Sequence, residues 1–168
     1  YLYKTHFTTL PLKHRELFVF DKNASIFENL NALNHWTFLH LYFKTGVTDV
    51  KTTLDEIIEK RHGVCQDFSH LFCALARENG VPARYVSGYL HQGNGYFGDS
   101  QMHAWAEAYI PNIGWIGFDP TNDLLAGTNH IKVAHGRDYS ECSPLKGVVY
   151  SSGSNETSHT VNVSGHEQ

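Results

Sequence analysis

Apolar positions along the first half of the chain recur at helical spacing. After Ser25, Ile26, Leu30, Leu33, Thr37 and Leu41 fall on one face, and Ser25 followed three residues later by Glu28 forms a capping-box pattern, predicting a first helix over about 26–44 before Gly46. Thr53 and Glu56 repeat that pattern ahead of Leu54, Ile57 and Ile58, predicting a short helix that ends near Gly63. A third stripe, Cys65, Phe68, Leu71, Phe72 and Leu75, is closed by Asn79 and Gly80 with Pro82 just beyond. Residues 1–22 carry no clear period.

Beyond Pro82 the period changes to two. ARYVSGYL, HAWAEAYI and WIGFDP read as strands, with the Gly-rich loop HQGNGYFGDSQM between the first pair and PNIG as a turn between the second. HIKVAHG adds a strand, and KGVVY and HTVNVSG, separated by SSGSNE, add a hairpin. Helices first and an antiparallel sheet second make an α+β layout.

Composition narrows the function. With 168 residues and 41% apolar content, the expected unit is one domain over residues 1–168 with a single core. The formal charge is -4 and no run of Lys and Arg stands out, so neither nucleic acid nor an anionic membrane is the expected partner. No apolar run approaches a membrane span, and YLYKTHFTTL lacks the layout of a signal peptide. The chain begins at Tyr1 and its single Met is Met102, so it reads as a piece of something longer. Cys65, Cys73 and Cys142 are an odd count at irregular spacing, which argues against a disulfide framework and for a reducing, cytoplasmic setting.

Twelve His raise the question of metal. His62 with Cys65 and His70 with Cys73 share a His-x-x-Cys spacing, but along one helix and its lead-in the outermost ligands would lie roughly 15 Å apart, too far for one ion. Both His are therefore expected on solvent or cleft faces. No Asp-rich calcium loop is present, and no metal or cofactor is expected.

The third helix carries the chemistry. A free thiol titrates near 8.5, so a nucleophilic Cys needs help, and the first turn of a helix provides some through its unpaired N–H groups and positive dipole end. Cys65 has that placement. Its partner imidazole is assigned to His103, which opens a strand directly after the Gly-rich loop, and the acid that would orient the imidazole to Asp119 at the end of the next strand. An odd connecting loop, pairing Tyr109 with Trp115 and Trp105 with Asp119, would set His103 and Asp119 on one face as diagonal neighbours; an even loop would separate them.

Other residues have plainer roles. Cys73 lies about 80° round the helix and two turns deeper than Cys65 and reads as core, and Cys142 reads as structural. Asp67 and Gln66 suit the first helical turn, where an acid caps free N–H groups, with a substrate role left open for Gln66. Trp115, Tyr85 and Tyr89 read as sheet core, and Trp105, on the face of His103, is placed to shield a His–Asp bond. Asp99 reads as a solvated loop acid. The backbone N–H of Cys65 is a natural oxyanion donor. The second donor is open: the Trp36 indole could supply it, and packing accounts for Trp36 equally well.

GVCQDFSHLFCALARENGVPARYVSGYL, HAWAEAYIPNIGWIGFDPTND and GRDYSECSPLKGVV together resemble the transglutaminase-like superfamily, in its bacterial transglutaminase-like cysteine protease branch, over about residues 24–150. The resemblance implies a papain-like core in which a central helix presents the nucleophile Cys65 to an antiparallel sheet bearing the acid/base His103 and the orienting Asp119. It also implies a β-rich domain upstream, with residues 1–23 as the lead-in. The expected activity is acyl transfer from protein or peptide amides through a thioester, with water favoured as acceptor. Amine transfer and a non-catalytic binding module of the same fold are the alternatives. All three triad positions are filled, unlike a typical degenerate copy.

Overall fold

The computed structural model describes residues 1–48, 52–91, 97 and 101–143. Ser25 caps helix α1, Ile26–His40: its Oγ accepts the Glu28 N–H at 3.2 Å while Glu28 Oε2 accepts the Ser25 N–H at 2.8 Å. The helix stops four residues before the expected end. Leu41 is extended, and strand β1, Tyr42–Phe43, pairs in parallel with β2, His62–Gly63, through Tyr42 N–H to Arg61 O and Lys44 N–H to Gly63 O. A long-range ladder thus takes the backbone groups that another helical turn would have used. Helix α2, Leu54–Lys60, is capped by Thr53 and ends where Arg61 turns left-handed at φ 55°, ahead of the expected Gly63.

Helix α3, Cys65–Glu78, is buried at every residue from Asp67 to Arg77. It ends as foreseen: Gly80 has φ 79°, its N–H reaches Arg77 O, and the Val81 N–H reaches Ala76 O. Strands β3 (Ala83–Leu90), β4 (Met102–Ile110), β5 (Gly114–Asp119), β6 (Leu124–Leu125) and β7 (His130–Gly136) form an antiparallel sheet in the order β6-β5-β4-β3-β7. A short helix α4, Tyr139–Cys142, follows. Phe68, Leu71, Phe72 and Leu75 of α3 share one core with Ala83, Ala106, Ala108 and Phe118 of the sheet, all at most 1% exposed. Alanines at those sheet positions leave room for a helix with two phenylalanines, each stabilising the fold by about 1.5–3 kcal/mol through burial. The expected hairpin of KGVVY and HTVNVSG and the residue Asp99 lie outside the described residues.

Residues 1–20 are bound to the core by hydrogen bonds. The buried Arg77 guanidinium donates to Ala83 O, to Thr8 Oγ1 at 2.7 Å, to Tyr3 O at 3.4 Å and to Arg137 O at 2.6 Å. Asn79 adds a second tie, accepting from Phe20 N–H and donating to Phe18 O.

Candidate active site

Cys65 is the first residue of α3, following Val64 in extended conformation. The turn is held by Asp67, whose Oδ2 accepts the Val64 N–H at 2.8 Å and the Thr48 hydroxyl at 2.7 Å, as an acid in the first helical turn should. Gly63 makes this possible: a Cβ there would lie 2.6 Å from Asp67 Oδ2. Asp67 is 3% exposed, and burial pushes its carboxyl up despite the Val64 and Thr48 bonds.

The β4–β5 register sets the second element. Tyr109 pairs with Trp115 and Ile110 with Gly114, leaving the three-residue turn 111–113, the odd case of the two that the sequence left open. His103 and Asp119 then share a face, and His103 Nε2 meets Asp119 Oδ2 at 2.7 Å with both side chains fully buried. Since Nε2 is taken by the carboxylate, Nδ1 is the nitrogen left for Cys65, whose side chain interacts with this imidazole; Nδ1 has no other partner among the described residues. Burial works against the imidazolium. The Asp119 hydrogen bond, the Cys65 side chain and the carboxylate charge outweigh it, so His103 is held well above the ordinary histidine range. Burial likewise works against the Asp119 carboxylate, and the bonds from His103 and His130, with the Asn122 amide, outweigh it and hold it below the usual range. Trp105, 1% exposed, stacks over His103 with ring centres 6.2 Å apart, covering the His–Asp bond from water.

The cleft at this point has a volume of about 260 Å³ and is bordered by Cys65, Gln66, Tyr85, Ser87, His103 and Tyr139. A larger depression of about 420 Å³, beside His6, Pro11, Leu54 and Asp55, contains no cysteine. The N–H of Cys65, first residue of α3, is one of the N-terminal donors that have no partner within the helix. Trp36 is elsewhere: it stacks on His40 with centres 4.3 Å apart and packs against Phe18.

Two findings add to or correct what the sequence foretells. Asp119 Oδ2 accepts not only from His103 but from Asn122 Nδ2 at 2.9 Å and from His130 Nε2 at 3.1 Å, while Oδ1 accepts the Thr121 N–H. His130, like His103, stands at a strand start, the one signal that could have marked it. His70, expected on a solvent or cleft face, is instead 2% exposed, sandwiched by Phe7 and Tyr85, with Nε2 accepting the Tyr139 N–H at 3.1 Å; burial pushes it down to about 3. Its place on α3 faces inward because the helix is surrounded on all sides. Cys73 is fully buried and pushed up to about 12, and Cys142 is buried beside Tyr85, both as structural cysteines should be.

His62, Cys65, His70 and Cys73 do not converge. Among the described residues, the groupings with atoms close enough for one metal ion are His103, Asp119 and His130, and, near the surface, His14, Asp55 and Glu59. No helix among the described residues is long and apolar enough to cross a membrane.

Comparison with known proteins agrees with this architecture. Residues 18–120 match the family model of the transglutaminase-like superfamily. An uncharacterized protein of Mycobacterium tuberculosis strain H37Rv is 39% identical over 122 residues, 67% of this chain and 39% of that protein. The protein-glutamine gamma-glutamyltransferase of Pseudomonas aeruginosa is 32% identical over 98 residues, 55% of this chain and 14% of the enzyme. The solved "Putative Cysteine Protease from Cytophaga hutchinsonii" superposes with a TM-score of 0.73 at 32% identity, covering 84% of this chain and 47% of that one. This chain thus spans about two fifths of its mycobacterial relative and less than half of the solved neighbour.

Proposed function

Because this chain belongs to the transglutaminase-like superfamily, we propose that it is a thiol-dependent acyl-transfer enzyme acting on protein or peptide amides, with water as the acceptor. The observation that carries this is the buried His103–Asp119 bond behind a cleft bordered by His103 and by Cys65, a cysteine at the tip of a helix. In this reading His103 already holds the proton of the Cys65 thiol, and the resulting thiolate attacks the amide carbonyl carbon. The oxyanion draws on the Cys65 N–H, and as the C–N bond breaks His103 returns the proton to the leaving amine. A thioester remains on Cys65. Water, deprotonated by the same imidazole, then attacks the thioester carbonyl and the thiol leaves, regaining its proton.

Asp119 keeps the imidazole in the orientation and tautomer this cycle needs. Apart from His103, the described residues bordering the cleft are uncharged, which suits an uncharged acyl side chain. The name of the C. hutchinsonii neighbour favours hydrolysis. That of the P. aeruginosa relative keeps amine transfer as the second reading, since the two differ only in what resolves the thioester.

Brief treatment with iodoacetamide at pH 6, followed by mass mapping, should label Cys65 ahead of Cys73 and Cys142, and His103→Ala should slow it. Preferential labelling elsewhere, or an unchanged rate in His103→Ala, overturns the thiol reading. A Gln-containing peptide incubated with and without a primary amine separates the acceptors: ammonia release with no amine adduct is the expected outcome.

A further inference from the structure

Asp119 does not serve His103 alone, and the second imidazole upon it is locked into one protonation pattern. The side chain of His130, first residue of β7, is 3% exposed. Its Nδ1 accepts the Gly127 N–H at 3.3 Å. A backbone N–H can only donate, so Nδ1 holds a lone pair and the ring proton sits on Nε2, the atom 3.1 Å from Asp119 Oδ2. The hydrogen bonds therefore assign a neutral His130 that donates to the carboxylate. The same pattern argues against a cation here. A metal held between His103, Asp119 and His130 would need the Nε2 lone pair that the Gly127 N–H has moved to the other nitrogen.

From these contacts we infer that His130 is a positioning residue of the site, an inference that rests on reading the cleft as a thiol active site. With Asn122, it holds Oδ2 at one point, so the imidazole bonded to that oxygen keeps its free nitrogen toward Cys65. A neutral donor does this without cancelling the charge Asp119 needs to stabilise the imidazolium. Trp105 completes the arrangement, packing edge-on to His130 at 5.2 Å and stacked over His103, so one indole closes both imidazoles from water. Gly88 on the intervening strand leaves the indole its place: a Cβ there would fall 2.7 Å from the Trp105 ring and 2.1 Å from Ile131 O.

The test compares three variants of the full chain. His130→Phe keeps the ring and loses the donor, His130→Gln restores an N–H at the place of Nε2, and His130→Asn keeps only an acceptor for Gly127. Cys65 alkylation at pH 6 and kcat on a Gln peptide should fall roughly 10- to 100-fold in His130→Phe and His130→Asn, the scale of one lost bond to a charged group, with KM within about twofold. His130→Gln should recover both to within about threefold, a rescue that a purely structural role would not follow. Wild-type rates in folded His130→Phe, or equal impairment of His130→Gln and His130→Asn, overturn the inference; the Gln–Asn comparison decides if the Phe variant does not fold. Failure of wild-type Cys65 to label ahead of Cys73 and Cys142 is a separate result, which sinks the thiol reading and this inference with it.

Discussion

Replacing Asp67 tests how the turn that carries Cys65 is held. The carboxylate is 3% exposed and accepts two hydrogen bonds, from Val64 N–H and Thr48 Oγ1. Asp67→Ala leaves the Val64 N–H facing a methyl group. An unsatisfied buried donor costs about 1–3 kcal/mol and a lost helix cap about 1 kcal/mol. The two overlap, so about 2–3 kcal/mol is expected. At roughly 2–4 °C per kcal/mol for a domain of this size, Tm should fall by about 4–12 °C. Asp67→Asn keeps an acceptor for Val64 and should cost less than about 1 kcal/mol.

The two variants also separate acceptor from charge. Burial raises the Asp67 carboxyl in the fold, so the folded state holds the proton more tightly than the unfolded chain. That stability is fully present below the unfolded carboxyl's value, about 3.9, and is lost as pH rises through the raised folded one. Asp67→Asn cannot lose it, so its stability relative to wild type should improve as pH climbs through the weakly acid range. Urea unfolding followed by circular dichroism at several pH values measures both effects. An Ala variant within about 0.5 kcal/mol of wild type, or Asn and wild-type curves that stay parallel with pH, would refute the reasoning.

Other expectations concern the site and the sheet. Asp119→Asn should lower kcat by roughly 1,000- to 10,000-fold and, by removing what raises His103, move the basic limb of the kcat/KM profile to lower pH; a limb that stays put contradicts the pairing. His70 is buried neutral and pushed down to about 3, so the fold should lose stability as pH falls from the ordinary histidine value of about 6.5 toward that point. His70→Gln should flatten that slope in acid titrations of unfolding. Gly88→Ala forces a Cβ to within 2.1 Å of Ile131 O, a backbone atom, and should lower stability by at least about 3 kcal/mol or abolish folding, read from thermal melts.

Local signals in the sequence reached a long way. The Ser25–Glu28 box, the Gly80 cap and the third helix all depend on neighbours within a few residues, and each is found where its residues foretell it, whereas the odd β4–β5 connection is settled only by the strand register. The odd loop alone decides that His103 and Asp119 share a face. What was hidden depends on distant chain. α1 ends at His40 because β2, over twenty residues away, offers Tyr42 and Lys44 their hydrogen-bond partners. His70 sits on a helix whose apolar stripe is plain, but only the packing of Phe7 and the α4 backbone against its other side makes it buried. His130 lies on β7, three places from β5, which carries Asp119, so no pairing rule joins them; the link is a side-chain hydrogen bond.

Arg77 ties four stretches of chain to one guanidinium, from Tyr3 and Thr8 at one extreme to Arg137 at the other. A segment lifted from this protein by recombination, or grafted by design, would keep the Ala83 and Arg137 carbonyls but leave one guanidinium nitrogen without its Tyr3 and Thr8 acceptors if it began at the first capped helix. Any portion that travels between proteins with this cation fully answered must therefore include Tyr3, Thr8 and Arg137, well outside the stretch that carries Cys65, His103 and Asp119.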